Sequence, residues 1–401
     1  SWPSTCFSRH FPALKAWRRP QSRPRTAARP LTCTSGEKMR PILLKGHERA
    51  LTRVKYNADG DLLFSAAKDP KPTVWYADTG VRLGTFNGHQ GAVWDLDVSY
   101  DSSRLLTASA DATVRLWEVR TGRELCQYDH SGPVRAVAWA EGCQYFATAA
   151  EPFGKHPGQI AVYYCPSDAE EYDQLPIENR VFEIPPEVRA SQIAWLNNNK
   201  EILIAYDDGS LRILDAEYGD ELHKFNIHKH RIMDMQFSID KTLLITASYD
   251  TSSKLLDATT LEVLETFQTD RPVNAAALSP IREHVIIGGG QDAMSVTTTA
   301  GQQGKFEARF YHMWYAEEFG RVKGHFGPIN AIGINPDGRS YASGGEDGYI
   351  RLHHFDPSYF AIADPVPEDF DPLSAKKKME EAGLDVAEMG LEFGEDEEKE
   401  A

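Results

Sequence analysis

Ser109, His89 and Asp111 supply the three residue types of a nucleophile, its base and the group that orients the base, and they lie within one short stretch, GHQGAVWDLDVSYDSSRLLTASADATVRLW (88–117). A hydrolase would need such a serine on an exposed, strained turn, beside backbone N–H groups able to hold an oxyanion. Here the three sit instead at the ends of apolar, alternating runs. The separation of 22 residues between His89 and Asp111 recurs at His47/Asp69, His228/Asp250 and His325/Asp347. The copies decay. The first keeps His47, Asp69 and Trp75 but has Ala67 where Ser109 stands, and another keeps Ser248 and Asp250 but has Leu256 in place of Trp117. A catalytic set is not expected to erode in parallel copies. A buried imidazole and carboxylate are costly unless satisfied, so the set reads as a hydrogen-bond series that fixes local geometry.

The elements that must position these residues follow from the period. His47 to His89 is 42 residues and His89 to His130 is 41, in the range of WD-repeat propeller blades, whose His, Ser/Thr, Asp and Trp bond in series. LLTASAD and TVRLW are short β-branched runs around a tight turn, which reads as antiparallel strands. Counting such units along the chain gives an all-β, seven-bladed β-propeller. Blade 1 runs from Gly46 to about Asn87 and blade 2 from Gly88 to about Tyr128. Blade 3 opens at Asp129-His130, with Pro152 where the Asp is expected, a turn lengthened by EPFGKHPG and an acidic loop SDAEEYDQLPIENR. Blade 4 lacks the Gly-His, and blade 5 spans His228 to about Gln268. Blade 6 carries an insertion containing TTTAGQQGKFEARF, and blade 7 runs from Gly324 to YIRLHHF (349–355). RPILLK (40–45) precedes blade 1 where an outer strand belongs. It is expected to pair beside YIRLHHF, closing the ring and protecting two sheet edges.

Charge divides the chain into three. Residues 1–38 carry eight Lys/Arg against one acid, a net of +7, and 364–401 carry fourteen acids against four Lys, a net of −10. With the whole at −16, the middle holds −13. An acidic body is a poor nucleic-acid binder, because phosphate affinity needs clustered cations, so no direct sequence-specific nucleic-acid binding is expected. The leader 1–38 is Arg- and Pro-rich. Its five prolines oppose an amphipathic targeting helix, and with the first Met at 39 it reads as sequence translated upstream of the true start, disordered either way. Residues 39–360 form the propeller and 361–401 an acidic tail. No run of eighteen apolar residues exists, so no membrane helix is expected. Five scattered cysteines without CxxC spacing suit a reducing, cytoplasmic location.

Other chemistry is thin. GGGQDA (288–293) is not followed by GK[ST] or a helix, so a tight turn is preferred to a phosphate loop. His228-x-His230 and His353-His354 lack partners at ligand spacing. No cofactor, metal or catalytic set is expected. Function then rests on surfaces. Asp95 and Asp234 lie six residues after their blade His, which places them near the start of an inner strand, close to one face; Asp207-Asp208 sits on a turn. In an acidic body these could receive a basic helix, or be ordinary turn carboxylates.

GHERALTRVKYNADGDLLFSAAKD, GGGQDAMSVTTT, GKFEARFYH, GRVKGHFGPIN and SYASGGEDGYIRLHHFDPSYF resemble the i subunit of eukaryotic translation initiation factor three, from Met39 to about Phe360. The resemblance implies a non-catalytic scaffold that binds the C-terminal segment of the b subunit, associates with the g subunit and rides on the small ribosomal subunit, mainly through other subunits, during initiation and scanning. In that family a b-subunit helix docks near the fifth and sixth blades. The family's SDMQF matches IMDMQFS here, which carries the docking role to Asp234 first, and more weakly to Asp208 and Asp207. Asp234→Lys is then expected to weaken a basic helix's binding while the propeller stays folded. The alternative class is a signalling or ubiquitin-ligase substrate adaptor, since propellers serve both. Such an adaptor usually needs a basic pocket or an F-box-type helix, and neither shows in the sequence.

Overall fold

A computed structural model describes residues 41–166, 179–290 and 306–362. The described residues form seven four-stranded antiparallel sheets, six of them built from consecutive strands. The first six innermost strands are Leu51–Tyr56, Val93–Val98, Val134–Trp139, Ala190–Leu196, Ile232–Phe237 and Val273–Leu278; the seventh is Ile329–Ile334. Each packs beside the next, and the first packs beside the last, so the sheets close into a seven-bladed β-propeller around a central channel.

The seventh blade is composite. Its outermost strand is Ile42–Lys45, which runs antiparallel to Tyr349–His354 with Ile42 opposite Leu352 and Lys45 opposite Tyr349. Leu44 is buried and Leu43 faces out, the alternation of a strand with one covered face. The closure expected from RPILLK is therefore present.

There is no single core. Seven apolar clusters lie between neighbouring blades, one at each junction from blades 1 and 2 around to blades 7 and 1. This explains the second strands, such as Arg104–Ser109 and Leu243–Ser248. Covered on both faces, they are buried almost throughout and combine Leu with small residues such as Ala, Ser and Thr.

Every inner strand carries a register break after its first residue, between Leu51 and Arg53, Val93 and Asp95, Val134 and Ala136, Ala190 and Gln192, Ile232 and Asp234, Val273 and Ala275, and Ile329 and Ala331. An extra residue in one strand bends it and re-aims the next side chain. The third residues, Arg53, Asp95 and Asp234 among them, thus occupy one repeated position.

Two boundaries differ from the sequence expectation. EARFYH is the third strand of blade 6 (Glu307–His312), not inserted chain; the added length before it falls in residues 291–305, outside the described residues. The acidic loop of blade 3 lies mostly in 167–178, also outside them, and Asn179–Glu183 is already the outer strand. The packed region also runs past the last strand. A short helix, Pro357–Phe360, buries Tyr359, whose ring stacks on Phe355 with centroids 4.0 Å apart and whose hydroxyl bonds His284 Nδ1 at 2.9 Å.

Candidate partner-docking site

The repeated hydrogen-bond series is present, with one residue reassigned. In blade 2, His89 Nδ1 meets Asp111 at 3.0 Å and Nε2 meets the Thr107 hydroxyl at 2.7 Å, and Trp117 Nε1 donates to the same hydroxyl at 2.9 Å. Thr107, not Ser109, is the link. Ser109 accepts the Asp111 N–H at 3.2 Å instead. Blade 1 is then complete despite Ala67: His47 meets Asp69 at 2.9 Å and Ser65 at 2.8 Å, and Trp75 donates to Ser65 at 2.9 Å. In blade 5, His228 meets Asp250 at 3.0 Å and Thr246 at 2.8 Å, while Ser248 accepts the Asp250 N–H and donates to the His230 and Arg231 carbonyls. Blade 7 joins His325 to Ser343 at 2.8 Å and to Asp347 at 3.3 Å. Blade 3 joins His130 Nε2 to Thr148 at 2.9 Å and to the Tyr163 hydroxyl at 3.2 Å.

The linking hydroxyl stands 18 residues after the His in all five blades that have one. The position two further on holds Ala67, Ser109, Ala150, Ser248 and Gly345. Comparing the two columns would have found the link from the sequence. Residues two apart on a strand share a face, so a single blade could not separate them.

One polarity satisfies the series: indole N–H to hydroxyl oxygen, hydroxyl to His Nε2, and His Nδ1–H to carboxylate. Burial works against the Asp250 carboxylate, but the Ser252 hydroxyl, the Lys229 N–H and His228 hold it down at about 2. Asp111 is likewise held well below the usual carboxylate range: burial opposes it, while His89, the Gln90 N–H and Thr113 outweigh that. Burial lowers His228 and His325 from their ordinary range, so these rings stay neutral. All of this is structural chemistry. The oxygens of Ser109 and Ser248 are used by the fold.

Asp234 is not at the surface. It is 3% exposed, as is Asp95. Arg53, on the inner strand of blade 1, forms ion pairs with Asp95 of blade 2 at 3.3 Å and with Asp234 of blade 5. Burial opposes the Arg53 charge, and Asp234 and Asp95 restore it; burial pushes the Asp95 carboxyl up to about 6, with Arg53 pulling the other way.

The same carboxylates also cover a sheet edge. Asp95 accepts the Val137 N–H at 3.1 Å, Asp97 the Trp139 N–H at 2.7 Å and Asp234 the Ala276 N–H at 3.4 Å. Each acceptor lies one blade before its donor. The inner strands leave an edge of N–H groups along the channel, and unpaired buried donors are costly. Asp234 therefore holds a neighbouring strand and neutralises Arg53, and a partner's cation could reach it only by displacing Arg53. Asp234→Lys would set two cations against each other inside the channel.

Asp207 and Asp208 lie on a blade 4 turn. Asp207 accepts the Arg189 N–H at 2.9 Å. Asp208 is exposed; it accepts the Ser210 N–H at 2.8 Å and hydroxyl at 2.6 Å, with Arg212 at 3.4 Å and Lys224 at 3.9 Å. Asp234 is thus buried while Asp208 is exposed on its turn.

Among the described residues no cluster of three His, Cys, Asp or Glu could hold a metal ion, and no helix is long and apolar enough to cross a membrane. His353 is buried and His354 meets the Asp78 carbonyl at 3.1 Å. Gly288 and Gly289 lie in a strand, where a Cβ on Gly289 would fall 2.2 Å from the Pro272 carbonyl oxygen; Gln291, Asp292 and Ala293 are outside the described residues.

Seven blades, a composite closing blade and a repeated His–hydroxyl–Asp series define a WD-repeat propeller whose repeated polar groups serve its own architecture. The family model EIF3I matches residues 39–363. The chain is 47% identical over 323 residues to eukaryotic translation initiation factor 3 subunit I of Bombyx mori, an alignment covering 80% of this chain and 97% of the relative. It is 46% identical over 325 residues to the same subunit of Danio rerio (80% and 98%), and 48% identical over 326 residues to that of Neurospora crassa (80% and 93%). The chain belongs to the eukaryotic translation initiation factor 3 subunit I family.

Proposed function

We propose that this protein is a non-catalytic scaffold subunit of the cytoplasmic translation initiation factor 3 complex. On this reading it binds the C-terminal segment of the b subunit and the g subunit, and acts with the small ribosomal subunit in pre-initiation complex assembly, mRNA recruitment and scanning. The observation that carries the reading is a family match spanning the whole propeller. Supporting it, the polar residues that could suggest catalysis are consumed by the blades' own hydrogen bonds. A basic b-subunit segment would meet the blade 4 turn, where Asp208 is the exposed carboxylate of the three candidates and Asp207 its neighbour.

The test is a pull-down of the tagged full chain from cytoplasmic extract, sedimented through sucrose and identified by mass spectrometry. Co-migration with the b and g subunits and small-subunit ribosomal proteins is expected. Recovery of receptor or ligase components with no ribosomal species would replace the reading with the adaptor one.

A further inference from the structure

We propose that the mouth of the channel receives an acidic peptide segment of a partner protein, through Arg135 and Arg231. Arg135 is the second residue of the blade 3 inner strand. Its guanidinium carbon lies 4.2 Å from the ring centroid of Trp94, the second residue of the blade 2 inner strand, and Trp94 is partly exposed. The only carboxylate paired with Arg135 among the described residues is Glu151, at 3.9 Å, the limit of an ion pair.

Arg231 comes just before the blade 5 inner strand. Its Nε is enclosed and makes no hydrogen bond, and no carboxylate among the described residues pairs with it. By contrast, Arg53, Arg115, Arg212 and Arg351 each meet at least one carboxylate. Arg231 and Arg135 also repel each other. Burial first, and Arg231 second, bring the Arg135 guanidinium down to about 10, with Glu151 and Asp95 pulling the other way. Two like charges brought together with a free donor are relieved by an anion. Arg189 holds the place in blade 4 that Arg231 holds in blade 5, and its exposed side chain adds a third cation from the blade between them.

The partner's chemistry follows from the surroundings. The three cations are local, on a propeller whose sequence segment carries −13. A nucleic-acid strand needs many phosphate contacts and would meet repulsion beyond the mouth. A peptide needs only one or two carboxylates there, and its apolar atoms can lie on the Trp94 indole.

The test uses the full chain and a fluorescein-labelled Ala-Glu-Glu-Ala-Glu-Ala peptide, with a Gln-for-Glu peptide and oligouridylate as competitors for the assignment. At low ionic strength the Glu peptide should bind, the Gln peptide roughly tenfold or more weakly, and Arg135→Gln and Arg231→Gln should each weaken binding by about tenfold or more. Lys45→Gln, on the outer strand of blade 7, should change nothing, and unchanged urea midpoints would show the variants folded. Absence of Glu-peptide binding, equal binding of the two peptides, or indifference to both arginine variants overturns the proposal. So does arginine-dependent binding of oligouridylate alone. Binding that appears only after Glu395, Asp396, Glu397 and Glu398 are changed to their amides would assign the site to this chain's own tail and overturn the partner assignment.

Discussion

At the scale of single residues, Thr107 is the test of the hydrogen-bond series. Thr107→Val leaves His89 Nε2 and Trp117 Nε1 without a partner in a buried site, and an unpaired buried polar group costs about 1–3 kcal/mol. Ser109→Ala removes only an acceptor for a turn N–H. Urea denaturation of the two variants should show a loss of roughly 2–4 kcal/mol for Thr107→Val and a clearly smaller one for Ser109→Ala; the reverse order would return Ser109 to the series. The sequence allowed part of this to be read. A spacing of 22 residues between His and Asp was enough to pair them, because it repeats. The choice of hydroxyl was harder, because Thr107 and Ser109 share a strand face and only the column 18 residues after each His separates them. The burial of Asp234 went unread for a different reason. Its place near the start of an inner strand was legible, but its counter-charge, Arg53, lies 181 residues earlier and across the channel, a contact no local pattern announces.

At the scale of elements, the ring depends on its first strand. Leu44 is 2% exposed and packs into the cluster between blades 7 and 1 with Leu51, Ile350 and Leu352. Leu44→Ala should cost about 2–5 kcal/mol, a large share of a marginal total. It should also uncover the edge of Tyr349–His354, and exposed edges pair with other chains. Analytical ultracentrifugation should therefore find concentration-dependent association beside a lowered Tm; a lowered Tm with a strictly monomeric protein would show that the edge stays covered. This element was legible because six apolar-flanked residues preceded the first repeat with no blade to belong to. The third strand of blade 6 was misread because a long segment before it shifts it out of period. The helix Pro357–Phe360 was missed because four residues carry no periodicity, and its evidence is Tyr359 stacking on Phe355.

At the scale of the whole molecule, the buried histidines set the response to acid. Burial lowers His130, His228 and His325 from 6.5, and brings His353 down to about 4. The unfolded chain binds these protons first. The histidines' contribution is thus present in full above about 6.5 and is lost as pH falls toward their folded values. Asp250, held at about 2, adds a further loss between its ordinary 3.8 and that value. The urea midpoint should fall from pH 7.5 to pH 5, before most carboxylates titrate; a midpoint that is flat across that interval would contradict the neutral, buried rings.

The pairing of Ile42–Lys45 with Tyr349–His354 also gives the chain a timetable. During synthesis the opening strand leaves the ribosome long before its mate exists. At ordinary elongation rates the gap is roughly 15 to 60 s. Through that interval blades 1 to 6 can form only an open arc with two bare ends, and the entropy of joining them is met late. A chain that stops before residue 349 never closes. The ring thereby reports on its own completion: only a molecule translated through its last strand can hide its first, and one cut short before it carries a sheet edge that chaperones and proteases can read.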